Sequence, residues 1–165
     1  MTSYSLKELY LLQKGLDEDI ALHHPGVTYE STLERRVLAL LVELGEFANE
    51  TRCFKFWSLK GPSPKERILD EYADALHFFL SIGLAIGISD FSFEPKEASE
   101  SLYAAILSVY TDVVLFHNEK SVENYRKAFS SFLNLLPILG YTFEDMESAY
   151  KAKLSVNYKR QENRY

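Results

Sequence analysis

Residues 33–48 read LERRVLALLVELGEFA, and this stretch decides the fold class. Its apolar residues recur at intervals of three and four, which places them on one face of an α-helix. That face comprises Leu33, Val37, Leu40, Leu41, Leu44 and Ala48. A half-buried strand would alternate strictly, and neither convincing alternation nor an Asn-Gly hairpin signal occurs in the sequence. The stretch therefore predicts a long amphipathic helix, which we place at Ser31–Phe56.

Helical periodicity continues on both sides of this stretch, interrupted by short breaks rich in Gly and Pro. Ser63 and Pro64 suit the cap and start of the third helix, and Gly140 suits the end of the fifth. The predicted helices are Ser5–Leu22, Ser31–Phe56, Pro64–Ile86, Lys96–His117, Val122–Leu139 and Phe143–Tyr158. We therefore predict an all-α bundle of about six helices that forms a single domain over residues 1–165.

The composition is that of an ordinary globular protein of 165 residues, with 47% hydrophobic and 25% charged residues. A formal net charge of −6 argues against non-specific nucleic-acid binding. We find no window of 18 apolar residues and no signal peptide, so we expect no membrane span and a cytoplasmic location. Cys53 is the only cysteine, which excludes an intrachain disulfide, and we interpret it as a core residue within a helix.

Two pairs of acidic residues point to a metal site. Glu43 and Glu46 are three residues apart on the second helix, and Glu71 and Asp74 repeat this spacing on the third. Each pair lies at the same angular position around its helix, beside the apolar face. Antiparallel packing of the two helices would therefore bring the two pairs together. Converging carboxylates need a cation, and oxygen ligands suit hard ions such as Mg²⁺ or Mn²⁺. Glu50 could add a ligand or an outer-shell group, and the alternative is a set of solvated helix faces.

These residues resemble a known family. The order Glu43-x-x-Glu46, 24 residues, Glu71-x-x-Asp74 is similar to the metal signature of the all-α NTP pyrophosphohydrolases, which include the MazG-like enzymes and the dimeric dUTPases. The surrounding sequences ELGEFANETRCFKFWS (residues 43–58) and EYADALHFFL (residues 71–80) resemble the dimeric dUTPase branch more specifically. So does the C-terminal pattern Lys153-x-x-x-Asn157-x-x-Arg160-Gln161-x-x-x-Tyr165.

The resemblance implies a homodimer that needs Mg²⁺, with Mn²⁺ as an alternative ion. It implies hydrolysis of dUTP and dUDP to dUMP by metal-activated water, with release of pyrophosphate from dUTP. By motif match, the metal ligands are Glu43, Glu46, Glu71 and Asp74. Glu43 or Glu46 would also orient or deprotonate the attacking water. The family motif often ends in Gly-Tyr, whereas here Arg164 precedes Tyr165.

Candidate base-binding residues lie on the first helix. Gln13 and Asp17 fall on its apolar face, and a buried polar group needs a partner. Gln13 offers a donor and an acceptor to a uracil edge, whereas ionised Asp17 can only accept, from the uracil N3–H or a sugar hydroxyl. The alternative is that both bond to neighbouring helices. The resemblance favours base contact, and it adds Trp57 against the uracil and Asn157 to the base and sugar site. Without it, Trp57 would be a core residue.

Basic residues near the C-terminus are candidates for phosphate binding. Lys153, Asn157, Arg160 and Arg164 share one face of the last predicted helix. A solvated terminal helix explains this pattern nearly as well, and the motif match favours phosphate binding. The full predicted set is Lys55, Lys60, Lys153, Arg160, Arg164 and Tyr165.

Three alternatives remain at this point. A related enzyme for dCTP or several dNTPs would keep the metal site and differ only in the base pocket. A di-iron bundle would use two Glu-x-x-His motifs, which this chain lacks. His77 follows Asp74 by three residues and could ligate iron or zinc, but a buried His bonded to a neighbour is the favoured interpretation. A non-catalytic helical interaction protein would bind no divalent metal.

Overall fold

The structure is a computed structural model that describes residues 2–97 and 99–163. In these ranges the chain forms seven α-helices and one short antiparallel pair of strands. The helices are α1 (Lys7–His23), α2 (Tyr29–Thr51), α3 (Lys65–Ala85), α4 (Leu102–Asn118), α5 (Val122–Leu133), α6 (Leu135–Leu139) and α7 (Phe143–Glu162), and the strands are β1 (Tyr4–Ser5) and β2 (Ser92–Phe93). The predicted all-α class is confirmed.

Helix α3 is the central element of the bundle. It packs against α1, α2 and α7, while α4 packs against α2 and α5. Because α3 has neighbours on several sides, its buried residues are not confined to one narrow stripe and include Tyr72, Leu76 and Phe79. Full burial of an aliphatic or aromatic side chain of this size contributes roughly 1.5–3 kcal/mol. The central position of α3 holds its polar residues in a fixed place.

Local sequence sets the ends of several helices. Helix α2 starts with a capping box, in which the Thr28 side chain accepts from the Ser31 N–H and the Thr28 N–H donates to the Ser31 hydroxyl. Thr142 and Asp145 form the same arrangement at the start of α7. Gly140 ends α6 with a φ of 75°, the left-handed conformation that glycine adopts without strain.

The predicted end of the second helix at Phe56 is wrong. Helix α2 ends at Thr51, because Arg52 adopts a left-handed φ of 56°. Its N–H makes the last helical bond, to the Ala48 carbonyl. Cys53 therefore follows the helix, although it still packs partly buried against the core. The start of the third helix also differs. Lys65 is its first residue, Pro64 precedes it, and Ser63 donates its hydroxyl to Glu50 instead of capping the helix.

Two further predicted boundaries are wrong. The fourth helix begins at Leu102 rather than Lys96, and the chain before it contains the short strand Ser92–Phe93, which pairs with β1. The predicted helix Val122–Leu139 is divided at Asn134 into α5 and α6. Within the described ranges, no helix is both long and apolar enough to cross a membrane.

Candidate metal and nucleotide site

Acidic side chains converge where α2 faces α3. Oxygens of Glu43, Glu46 and Glu71 lie within 4.8 Å of one another, and so do oxygens of Asp70, Glu71 and Asp74. Glu71 belongs to both groups, so the two groups form one continuous acid cluster. The structure therefore brings the four predicted metal ligands together and adds Asp70 to them.

Antiparallel packing of α2 and α3 produces this convergence. Glu46 on α2 lies beside Glu71 on α3. Glu50, one turn later on α2, contacts Arg67, one turn earlier on α3, so the two helices run antiparallel. The i,i+3 spacing places each acid pair on one side of its helix. Glu43 and Glu71 are half-buried beside the core, whereas Glu46 is exposed, as its phase on α2 predicts.

The cluster is electrostatically unfavourable without a cation. Burial, with the charges of Asp74, Glu46 and Glu71, raises the pKa of Glu43 to about 8. Burial and nearby carboxylates, Asp74 first, raise the pKa of Glu71 to about 7. Burial also raises the pKa of Asp74, although Lys153 opposes this effect. Each shift means that the charged form costs free energy in this place.

The residues of the cluster fit a hard divalent ion. Glu43 Oε2 and Glu71 Oε2 are buried, and neither has a hydrogen-bond partner among the described residues. Buried polar atoms are normally satisfied, so two orphan carboxylate oxygens beside each other indicate a missing positive partner. The cluster offers only oxygen ligands, which Mg²⁺ and Mn²⁺ prefer.

Lys153, one of the predicted phosphate-binding residues, lies at the acid cluster. Its ammonium group is 2.9 Å from Asp70 Oδ1 and 3.3 Å from Asp74 Oδ2, and its exposed fraction is only 7%. Burial acts to lower the pKa of Lys153, but the bonds to the two carboxylates raise it on balance. Arg160, near the end of α7, is close enough to Asp74 for its charge to act to lower the pKa of that carboxyl group. The end of α7 therefore lies near the same site.

Gln13 and Asp17 are buried as predicted, and both bond to neighbouring helices. The Gln13 amide donates to Asp17 Oδ1 at 3.0 Å, and its oxygen lies 2.6 Å from His77 Nδ1. Asp17 also accepts from Tyr29 and Ser81, at 3.0 and 2.9 Å. The interpretation of His77 as a buried residue bonded to a neighbour is confirmed, since it is 5% exposed.

The segment between α2 and α3 carries three of the predicted site residues. Trp57 is 65% exposed, so its interpretation as a core residue is wrong, and it packs edge-on against Phe54 and Phe56. The Lys55 ammonium lies over the Phe54 ring, and Lys60 is exposed. Hydrogen bonds from the Arg52 side chain to Ser58 Oγ and to the Lys60 carbonyl hold this segment in shape.

Asn157 and Arg160 lie in the last two turns of α7. Asn157 is half-buried, and its side-chain oxygen accepts from Arg160 at 3.4 Å. Arg164 and Tyr165 lie outside the described residues.

Comparison with known families agrees with this geometry. A family model described as dUTPase matches residues 5–165, which is nearly the whole chain. The chain belongs to the dUTPase family. A comparison with curated proteins gave no significant match.

Family membership identifies the chain as a dUTP diphosphatase and excludes the non-catalytic alternative. The dUTPase has features that sequence reasoning missed. Asp70 lies beside Glu71 and four residues before Asp74, and this spacing was the available signal. Arg36 and Ser81 were also missed as partners of Asp17, although a carboxylate on an apolar helix face requires such donors.

Proposed function

We propose that this dUTPase hydrolyses dUTP and dUDP to dUMP in a Mg²⁺-dependent reaction, with pyrophosphate released from dUTP and with Mn²⁺ as an alternative ion. The observation that carries the proposal is the convergence of Glu43, Glu46 and Glu71 within 4.8 Å, with two buried carboxylate oxygens that have no hydrogen-bond partner in the described part of the chain. We further propose that residues 1–165 form one catalytic domain located in the cytoplasm.

Glu43, Glu46, Glu71 and Asp74 are the proposed ligands. When bound, the metal neutralises phosphate charge and makes a coordinated water more acidic. Among the ligands, Glu43 and Glu46 are proposed to orient the water and accept its proton. Glu43 and Glu46 are one turn apart on α2, and the oxygens of both lie within 4.8 Å of Glu71, so a water held at the ligands would lie beside them.

Basic side chains on two elements are proposed to bind the phosphates. Lys153 and Arg160 reach the acid cluster from α7, and Lys55 and Lys60 lie on the segment after α2. We propose Arg164 and Tyr165 for the same role from the family motif. We propose that Gln13, Asp17, Trp57 and Asn157 contact the base and sugar.

We propose that the active oligomeric state is a homodimer. The family resemblance implies it, and exposed apolar side chains on α2 and α4 support it, including Leu38, Val42, Tyr103 and Leu107. Apolar residues exposed together on two packed helices are typical of an association surface.

The test is product release from dUTP, dUDP, UTP, dCTP and the other dNTPs, with Mg²⁺ and with EDTA. We expect Mg²⁺-dependent turnover of dUTP and dUDP, and activity on dCTP or several dNTPs would contradict the base assignment. Glu71→Gln should reduce kcat/KM by more than the roughly 10- to 100-fold that follows loss of an outer-shell partner. Glu66→Gln, on the exposed first turn of the same helix, is the matched control and should retain activity. Equal activity of the two variants would overturn the metal assignment.

A further inference from the structure

The ammonium group of Lys153 pairs with one of the proposed metal ligands. It lies 3.3 Å from Asp74 Oδ2 and 2.9 Å from Asp70 Oδ1. The proposed function assigns Asp74 to the metal and Lys153 to the phosphates of the nucleotide. Asp74 therefore has two cationic partners to choose between, and Lys153 has carboxylate partners as well as phosphate.

The packing of α7 places Lys153 at the acid cluster. Four residues of α7 are buried at a spacing of three or four, which puts them on one face of the helix: Phe143, Met146, Tyr150 and Lys153. Helix α7 packs against α1 and α3. The Lys153 side chain is only 8% exposed, whereas that of Asp70 is 56% exposed. The bundle therefore covers the aliphatic stem of Lys153 and presents its ammonium group to the carboxylates.

The acid cluster has two sides that differ in charge balance. The first side consists of Glu43, Glu46 and Glu71, and the second consists of Asp70, Glu71 and Asp74. On the first side, Glu43 Oε2 and Glu71 Oε2 are buried and have no hydrogen-bond partner in the part of the chain that the structure describes. On the second side, Lys153 contacts two of the three carboxylates. Lys153 therefore supplies positive charge to the second side.

Lys153 and a divalent ion on the second side compete for Asp74. Two cations that share one carboxylate repel each other, and the repulsion is stronger where water is excluded. A buried ammonium group also needs another anion before it can leave its partners, because an unpaired buried charge costs free energy. The phosphates of a bound nucleotide supply that anion. Binding of the ion on this side and contact of Lys153 with phosphate are therefore two parts of one exchange.

We propose that Lys153 is an internal counter-cation of the metal-free protein, which competes with the divalent ion for Asp74 and turns to the phosphates when ion and nucleotide bind. This inference rests on the proposed function. An ion held by the first side does not meet this competition, whereas an ion on the second side binds tightly only when phosphate holds Lys153. The coupling is reciprocal, so ion and nucleotide each raise the affinity for the other.

Asp70 has a separate role in this exchange. It is the nearer carboxylate to the Lys153 ammonium group, and it is more exposed than Asp74. It also lies outside the proposed set of metal ligands. Asp70 is therefore a positioning residue that keeps Lys153 at the edge of the cluster when the ion takes Asp74.

The test is Mn²⁺ binding to the full-length protein without nucleotide, measured by electron paramagnetic resonance of the free ion. Lys153→Met removes the charge and keeps an apolar stem. We expect it to tighten Mn²⁺ binding about 10-fold or more, because Asp74 then has no competing partner. Lys153→Arg keeps the charge and should bind Mn²⁺ as weakly as the wild type. Unchanged or weaker binding in Lys153→Met would overturn the proposal.

Lys151→Met is the matched control for the loss of one positive charge. Lys151 lies on the same helix and pairs with Glu8 at 3.1 Å and with Glu147 at 3.8 Å. Its charge is exposed and screened, so the Mn²⁺ affinity should change less than about 2-fold. Equal tightening in Lys151→Met and Lys153→Met would make the effect one of net charge and would overturn the competition for Asp74.

Thermal unfolding separates a counter-cation from an ion pair that only joins α3 to α7. We expect Lys153→Met to lower Tm in EDTA and to show a larger rise in Tm with Mn²⁺ than the wild type, because the ion binds it more tightly. An equal loss of Tm in EDTA and in Mn²⁺ would contradict the proposal. If Lys153→Met does not fold, Lys153→Gln, which is also uncharged, replaces it in both measurements.

Asp70→Asn tests the positioning role in a double-mutant cycle with Lys153→Met. Loss of the Asp70 charge weakens Mn²⁺ binding directly, but it also loosens Lys153, which strengthens Mn²⁺ binding. We therefore expect Asp70→Asn to weaken Mn²⁺ binding at least about 3-fold more in the Lys153→Met background than in the wild type. An equal effect in both backgrounds would show that Asp70 acts on the metal directly and would overturn its positioning role.

NMR of ¹⁵N-labelled lysine side chains follows the exchange itself, with Lys153→Met to assign the signal. The ammonium signal of Lys153 should shift more when Mg²⁺ and a non-hydrolysable dUTP analogue are added together than when either is added alone. A signal that does not move with both present would overturn the transfer of Lys153 to phosphate.

The binding measurements need no turnover, so failure of this proposal and failure of the proposed function are distinguishable. If the wild type hydrolyses no nucleotide while Lys153→Met tightens Mn²⁺ binding, hydrolysis fails and the counter-cation stands. If the wild type hydrolyses dUTP while Lys153→Met leaves Mn²⁺ binding unchanged, the counter-cation fails and the proposed function stands. Absence of Mn²⁺ binding in both proteins would overturn both.

Discussion

The position of Glu43 favours its protonated form, whereas its proposed role as a metal ligand requires the charged form. It is half-buried beside the core, and its Oε2 has no partner among the described residues. Burial and three neighbouring carboxylates favour its protonated form and raise its pKa to about 8. The same position suits a metal ligand, which must be charged. The residue should therefore destabilise the metal-free protein in the pH range where its charged form supports activity.

The first prediction is that Glu43→Gln makes the metal-free protein more stable and the enzyme inactive. The folded-state pKa of about 8 exceeds the ordinary value of 4.5, so the folded state holds a proton that the unfolded state has lost. The free energy of unfolding therefore falls as pH rises from about 4.5 to about 8. Gln removes this penalty, so Tm in EDTA should rise at pH 8 and change little at pH 4. We expect kcat to fall by about 10²- to 10⁴-fold.

Glu30→Gln provides the control for this prediction, since Glu30 lies on the exposed first turn of the same helix. It should leave kcat unchanged and should not reproduce the pH-dependent gain in Tm. A lower Tm for Glu43→Gln at pH 8 would show that the charged carboxylate stabilises the fold, contrary to its environment in the structure.

Individual site residues were predictable where a spacing rule constrained them. Glu43 and Glu46, like Glu71 and Asp74, follow the helical period, and the structure brings them together. The partners of Asp17 were not predictable, because Arg36 and Ser81 come from two other helices. Their contact with Asp17 depends on how α1, α2 and α3 pack, which no local pattern encodes.

The segment from Arg52 to Pro64 joins the two helices of the acid cluster. The end of the segment next to α3 is held by the carboxylate of Glu50. This carboxylate accepts a hydrogen bond from the Ser63 hydroxyl and another from the Arg67 guanidinium, the second at 3.0 Å. The Ser63 N–H also bonds to the Glu50 carbonyl. Glu50 therefore holds the segment in place and does not join the acid cluster, although its position on α2 was compatible with an additional ligand. Trp57 and two candidate lysines lie between these fixed ends.

The second prediction is that Glu50→Ala weakens substrate binding more than it slows the chemical step. Without the carboxylate, Ser63 and Arg67 lose their partner and the segment can shift relative to α3. We expect KM for dUTP to rise roughly 10-fold with a smaller change in kcat, since small displacements of positioning groups have large effects. Trp57 is the only tryptophan, so its fluorescence anisotropy should fall and report the motion directly.

Glu34→Ala is the matched control for Glu50→Ala. Glu34 lies on the same helix and forms ion pairs with His117 and Lys120, remote in sequence from the segment. It should leave KM and the Trp57 anisotropy unchanged. If Glu50→Ala behaved like Glu34→Ala, the segment would be held by its backbone and by Arg52 alone.

The missed features around α4, α5 and α6 differ in how far the local sequence could have revealed them. Pro137 lacks an N–H and its ring crowds the carbonyl four residues earlier, which is that of Leu133, the last residue of α5. This break could have been read from the sequence. The pairing of Ser92–Phe93 with Tyr4–Ser5 could not, because the two strands are some ninety positions apart in the sequence.

The whole molecule exposes apolar side chains on the part of its surface formed by α2 and α4. Leu38 and Leu107 are 62% and 63% exposed, and Tyr103 is 56% exposed. Leu107 and Tyr103 also line a groove of about 490 Å³ with Phe54 and Phe56, which belong to the segment after α2. The proposed dimer surface is therefore continuous with the segment that carries Trp57. Association would cover these side chains and restrict that segment at the same time.

The third prediction is that Leu38→Glu and Leu107→Glu each dissociate the proposed dimer into monomers. A carboxylate placed in an apolar interface loses its hydration without gaining a partner, so the dimer dissociation constant should rise by about 100-fold or more. Sedimentation velocity across a concentration series measures this change, with Leu22→Glu, an 81% exposed residue on α1, as the control. If dimerisation completes the site, KM for dUTP should rise in the two interface variants only. A wild-type monomer, or an equal effect of Leu22→Glu, would remove α2 and α4 as the association surface.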